Sequence, residues 1–247
     1  MVPIQIVSDL HLDSSRLWST YIPPKAPYLA LLGDIGTATL RNRKPLADFL
    51  LHSCLKKFKA VFYVCGNREA YGSSWSSVRS FFNSFKEEVD SRRLRGEALG
   101  EFVLLDQGRY DMDNGEGKVS ILGCTLFTQV PPHARAVVQE TLNDFKKVKN
   151  WTVAHHNAQH AVHLRWLNQQ VRELEAAGRR VAIFTHHSPT RDDRAVPAVH
   201  RGTDLNTAYC GDLSSERCWK RVYTNQKGYN HENSKSKGFS SGEVVGI

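Results

Sequence analysis

No apolar run in the 247-residue chain approaches the roughly 20 residues that a bilayer-spanning helix needs, so no membrane partner is expected. The opening Met1–Val7 stretch has no basic flank, and Asp9 ends its apolar run early. It is read as a first strand and not as a signal peptide. Cysteine is scarce: Cys54, Cys65, Cys124, Cys210 and Cys218 make an odd number without CxxC spacing. Free thiols in a reducing, cytoplasmic compartment are the expectation. There is no internal repeat, no linker and no His-Glu-x-x-His, which removes the zinc-protease mechanism. One domain over residues 1–247 is expected.

What is present is 40% hydrophobic and 23% charged, with a net charge of +8. The charge suits a polyanion, yet its clusters are short: Lys56-Lys57, Arg92-Arg93 with Arg95, and Lys146-Lys147 with Lys149. They are read as solvated helix faces, with a nucleic-acid or acidic-substrate surface as the alternative.

Strand-like and helix-like periods alternate, which predicts an α/β class with helices on both faces. Expected strands are Ile4–Ser8, Tyr28–Leu32, Ala60–Cys65, Phe102–Leu105, Val119–Cys124 and Val181–Thr185, with late strands at Lys220–Asn225 and Glu243–Ile247. A turn is expected at Asp111–Gly117 and a polar loop at Asn230–Gly242. Helices are expected from Pro45 to about Lys59 with proline at the first position, after Ser73-Ser74, and from Val153 to about Ala177. The last carries a stripe of Val162, Trp166, Leu167, Val171 and Leu174.

Four blocks put metal-ligand or phosphate-binding residue types directly after apolar strands. Asp9 and His11 are two apart, so on extended backbone both point one way and can share a divalent ion. Gly33 permits close backbone approach beside Asp34, whose two oxygens can bridge. Asn67, in Gly66-Asn67-Arg68-Glu69, offers a neutral oxygen. Two adjacent histidines, His186 and His187, seldom both face a core. Elsewhere, His156, His160 and His163 share one helical face at i, i+4, i+7. A packed or solvated helix is the main reading there, with a substrate pocket or a separate metal site as alternatives. Arg191-Asp192-Asp193-Arg194 is either an anion-steering loop or a surface cluster, and Cys65 reads as an inert buried thiol.

Taken in order, Asp-x-His, Gly-Asp, Gly-Asn-Arg-Glu and His-His-x-Pro resemble the motifs of calcineurin-like metallophosphoesterases. Glu69-Ala70-Tyr71, Asn143-Asp144-Phe145, Trp166-Leu167 and Asn225–Tyr229 extend the resemblance over most of the chain. It implies a four-layer α-β-β-α sandwich with two mixed β-sheets and the site at strand ends. By the same resemblance Asp9 and His11 hold a first metal, Asp34 bridges, and Asn67 and His186 hold a second, with His187, His200 and His231 as alternates. Two Mn, Fe or Zn ions, a metal-activated hydroxide and a phosphorylated small-molecule or protein substrate follow from it.

Two departures stand out. Arg68 occupies the place of the family's histidine; it can bind phosphate but cannot act as a general acid near neutral pH. The Gly-His-x-His element expected between Cys218-Trp219 and Asn225 is missing. A phosphoester hydrolase with weakened metal binding is the favoured expectation. A catalytically inactive binding or scaffold protein of the same fold is the alternative, and a basic nucleic-acid-binding module is the third.

Overall fold

Runs of alternating small and large apolar residues, with little that is charged, make strands that must be covered on both faces. Such runs build the centre of this protein. The structure, a computed structural model, describes residues 1–15, 18, 20–114, 117–192, 196, 201–220, 222, 223, 225 and 239–247. Its larger sheet has the order β4-β3-β2-β1-β8, with β1 at Pro3–Val7, β2 at Tyr28–Leu32, β3 at Ala60–Val64, β4 at Glu101–Leu104 and β8 at Val244–Gly246. The first four are parallel, and β8 runs antiparallel on β1. A second sheet has the order β5-β6-β7, from β5 at Gly108–Asn114, β6 at Gly117–Cys124 and β7 at Arg180–Thr185. β5 is antiparallel to β6, and β6 is parallel to β7. The fold is therefore mixed α/β with two mixed sheets.

The period-2 alternation decides what each face meets. Ile4, Ile6, Ala30, Phe62 and Val64 from the larger sheet share one core with Val119, Ile121 and Phe184 from the smaller. Phe62 links the two, with its ring 5.2 Å from Tyr110 and 6.0 Å from Phe184. The opposite residues, Leu29, Leu31, Val61 and Tyr63, pack on helical residues Leu46, Leu50, Val78, Phe82 and Phe85. Leu122 and Cys124 pack on Leu167, Val171 and Leu174 of a long helix. Among the described residues the α-helices are α1 at Leu12–Ser15, α2 at Leu40–Asp48, α3 at Trp75–Leu94, α4 at Arg135–Thr141, α5 at Asn143–Lys147 and α6 at Val153–Ala176. Side-chain oxygens cap the two longest: Ser74 accepts from the Ser77 N–H, and Thr152 from the His155 N–H.

Several expectations are corrected. Most of the turn expected at Asp111–Gly117 is strand: Asp111 to Asn114 complete β5 and Gly117 opens β6, held in register by that pairing and by Arg109 and Arg179 on the Asp111 and Asp113 carboxylates, while residues 115 and 116 lie outside the described residues. Pro45 lies inside α2, which Thr39 precedes; from Phe49 to Leu55 the helix widens to a π-helical pitch. None of the described residues in 220–225 is in a strand. Val162 is on the outer face of α6, 38% exposed, while Leu167, Val171 and Leu174 are buried. All five cysteines are free and buried, and no described helix is long and apolar enough to cross a membrane.

Candidate metal centre

β1, β2 and β3 are parallel and nearly flush, with Val7 opposite Leu31 and Leu32 opposite Val64, so the loops that follow them emerge side by side. Backbone bonds continue the pairing past the sheet: Asp9 N–H to Gly33 O (3.0 Å), His11 N–H to Asp34 O (3.0 Å) and Leu12 N–H to Ile35 O (2.9 Å). The extended geometry expected for Asp9 and His11 is wrong. Asp9, His11 and Asp34 all sit in the left-handed region, at φ of 56°, 48° and 54°. Few non-glycine residues adopt it, Asp and His more readily than most, at a cost on the order of 1 kcal/mol each. That twist, and not strand alternation, turns the side chains inward.

Ligand-capable atoms of Asp9, His11 and Asp34 all lie within 4.8 Å of one another. His186, arriving from the end of β7, places Nε2 3.5 Å from Asp34 Oδ1 and 2.9 Å from Asn67 Oδ1. Its Nδ1–H donates to Leu32 O (3.0 Å), which aims Nε2 at the cluster. Asp34 thus touches both groups. The close approach depends on two glycines. A Cβ at Gly66 would fall 2.7 Å from His186 Cε1 and nearer still to Asp34, and one at Gly33 would fall 2.7 Å from Gly66 N.

The remaining sequence candidates divide. Arg68 gives its backbone N–H to Asp34 Oδ1 (2.9 Å), while its guanidinium reaches Ser14 Oγ (2.6 Å) and Asp13 Oδ2 (3.5 Å) on α1. His187 turns away from the cluster, its Nδ1–H donating to Thr125 O (3.2 Å). His200 and His231 lie outside the described residues, as do Asp193 and Arg194.

Three residues were visible in the sequence only as motif letters, without a role. Glu69 is fully buried and accepts from Asp34 N–H (3.1 Å), Ile35 N–H (2.9 Å), Gly66 N–H (2.9 Å) and Tyr63 O–H (2.9 Å), tying the loops after β2 and β3 together. Asp144 and Tyr71 meet Asn67 from the other side. Their partners lie up to 77 residues away in the chain, and no local pattern encodes that.

The electrostatics ask for positive charge. Burial raises the Asp34 carboxyl well above the usual range, and Glu69 and Asp9 push it further, against the pull of His186. Burial likewise raises Asp9 and Glu69. For His186 burial alone favours the neutral ring, but Asp34, Asp9 and Glu69 outweigh it and bring the pKa to about 8. Ionising Asp9, Asp34 and Glu69 together would set three carboxylates against His186, with Arg68 also acting on Asp9, and a bound cation would favour that ionised set. The donors are oxygens and imidazole nitrogens, with no thiolate, and they fit a hard or borderline divalent cation.

The histidine-rich face of α6 is a different construction. His156 Nε2 accepts from Thr128 N–H (3.0 Å), His163 Nδ1 accepts from Leu126 N–H (3.2 Å), and His160 Nδ1–H donates to Leu126 O and Phe127 O (both 3.2 Å). These rings hold a loop in which Leu126 and Phe127 have φ of 72° and 51°. Among the described residues they do not converge as metal ligands, so the packed-helix reading stands.

No family model matches the chain, and no curated protein matches it. Its architecture is similar to the crystal structure of a phosphopantetheinyl hydrolase from Mycobacterium tuberculosis, with a TM-score of 0.60 at 15% sequence identity, over 86% of this chain and 76% of that one. At that identity the likeness establishes the fold alone. The membership of the calcineurin-like metallophosphoesterases suggested by the four ordered motifs and the four shorter blocks that extend them therefore does not stand: no family model supports it, and the fold match is to the phosphopantetheinyl hydrolase.

Proposed function

We propose that the protein is a metal-dependent hydrolase of phosphate esters, acting on a small or protein-borne substrate, with its layers forming an α-β-β-α sandwich that presents the site at strand ends. The observation that carries this reading is the convergence of Asp9, His11, Asp34, Asn67 and His186, drawn from four separate strand ends, into one partly buried acidic cluster. The name of the structurally similar hydrolase agrees with it.

In this reading Asp9, His11 and Asp34 hold one cation, and Asp34, Asn67 and His186 hold another. When bound, such ions supply Lewis acidity toward a phosphoryl group and an acidified water. The chain's own residues do the rest. Glu69 fixes the two loops, so the ligands need no rearrangement when a substrate arrives. The backbone N–H of Arg68 orients Asp34, and its side chain, charged at any pH near neutral, offsets phosphoryl charge without serving as a proton donor. The same guanidinium supports the rival reading, an inactive binding protein, because its contacts with Asp13 and Ser14 restrain it on α1.

Titration calorimetry with Mn²⁺, run beside hydrolysis of an aryl phosphate, separates the two. Wild type should bind the ion and turn over, and Asp34→Asn should lose both. Binding without turnover would establish the rival, and no binding at all would overturn the metal centre.

A further inference from the structure

Asn67 meets its neighbours through both ends of its amide. Nδ2 donates to Asp144 Oδ1 (2.8 Å) and to the Tyr71 hydroxyl (3.1 Å), and Tyr71 O–H donates to the same Asp144 oxygen. Oδ1 lies on the opposite side, 2.9 Å from His186 Nε2. An amide has two nearly isosteric orientations, and its hydrogen-bond partners decide between them. A carboxylate oxygen only accepts, so the flipped amide would set oxygen against oxygen at Asp144 and turn an N–H₂ toward the cation pocket. Asp144 is itself 4% exposed and sits on α5, which also receives the Gly72 N–H at Lys147 O.

From this geometry we infer that Asp144, assisted by Tyr71, is a positioning residue that locks the Asn67 amide with its oxygen facing the pocket. The inference rests on the proposed cation site for its consequence, though not for its geometry. It makes α5 part of the centre: a residue 77 positions away sets the polarity of one ligand. It also gives Tyr71 a task that involves no contact with substrate.

Two readouts test it. In the metal-free protein, Asn67 side-chain amide protons, assigned by their disappearance in Asn67→Asp, should be protected from solvent exchange, and Asp144→Asn should abolish that protection. With Mn²⁺, Asp144→Asn should weaken binding about 10- to 100-fold, the range for residues that orient metal ligands. Tyr71→Phe, which keeps the carboxylate and guards against a misfolded Asp144 variant, should weaken it less. The exchange of roles in Asn67→Asp/Asp144→Asn, where an amide now donates to a carboxylate that needs no orienting, should recover affinity lost in Asp144→Asn alone. A merely structural Asp144 would change thermal stability without this recovery. Unprotected Asn67 protons in wild type, or Mn²⁺ affinity within twofold of wild type in Asp144→Asn, would overturn the inference. Protected protons in a wild type that binds no Mn²⁺ would instead sink the metal centre and leave the amide lock standing.

Discussion

The acidic pocket at the ends of β1, β2 and β3 and the histidine lattice of α6 meet at one peptide bond, between His186 and His187. Both rings are buried, and their centroids are 5.1 Å apart. Facing Asp34, Asp9 and Glu69, His186 is raised to about 8. Burial holds His187 well below the ordinary histidine value, and His186, His156 and His160 push it further the same way. Burial acts on both rings alike, and only the neighbours differ. Residue type therefore nominated both regions as sites, and it is the surrounding charge that separates a pocket wanting a cation from a packed core of neutral rings.

The largest expected effect belongs to the acidic side. Arg68→His should raise hydrolysis of alkyl phosphates more than of aryl phosphates, by something on the order of 10²–10⁴-fold, because alkyl leaving groups need a proton that arginine cannot give. An equal gain on both substrates would assign Arg68 to positioning or charge. Next, His186→Ala should weaken Mn²⁺ binding by at least about 100-fold, beyond the range for residues outside the ligand shell. His187→Gln should lower thermal stability and leave the affinity nearly unchanged. Similar affinity losses in both would erase the contrast.

Acid should expose the histidine side. Burial lowers His156 to about 3 and His163 to about 4, against an ordinary 6.5. The unfolded chain then binds more protons, so this stability is intact above pH 6.5 and is lost as pH falls from there toward 4. At pH 5 the loss is on the order of 2 kcal/mol for each ring, from about 1.4 kcal/mol per pKa unit. The raised carboxyls of Asp9 and Asp34 oppose it, favouring the folded state as pH drops. Urea unfolding at pH 7.5 and pH 5 should therefore compare wild type with His163→Gln. Wild type should lose more than the variant, and equal losses would mean that His163 is not held neutral. The smallest effect is expected at Val162→Lys, within about 0.5 kcal/mol in the same assay, since the side chain is on the outer face of α6.

Most of the sheet was legible because its period-2 apolar runs depend on local sequence: Tyr28–Leu32 is read to the residue, and Ala60, Val119 and Val181 each mark a strand start to within two residues. β5 was not legible. Asp111, Asp113 and Asn114 are turn-forming types, and only β6 and two arginines make them a strand. Pro45 deceived in the opposite way, as a helix opener that lies within one. At the centre, the four blocks that follow apolar strands supplied the side chains that lie together, though residue type alone did not separate His186 from His187. The left-handed backbone at Asp9, His11 and Asp34, and the partners that orient Asn67 and His186, depend on contacts between distant segments and left no local trace.

That left-handed backbone has a consequence for how the protein would change under selection. Asp9, His11 and Asp34 occupy conformations that glycine adopts freely. A mutant library screened for thermal stability alone should accumulate glycine or asparagine at these three positions, whereas one screened for cation binding should reject the same substitutions. The two selections would pull the three sites in opposite directions while agreeing over most of the core.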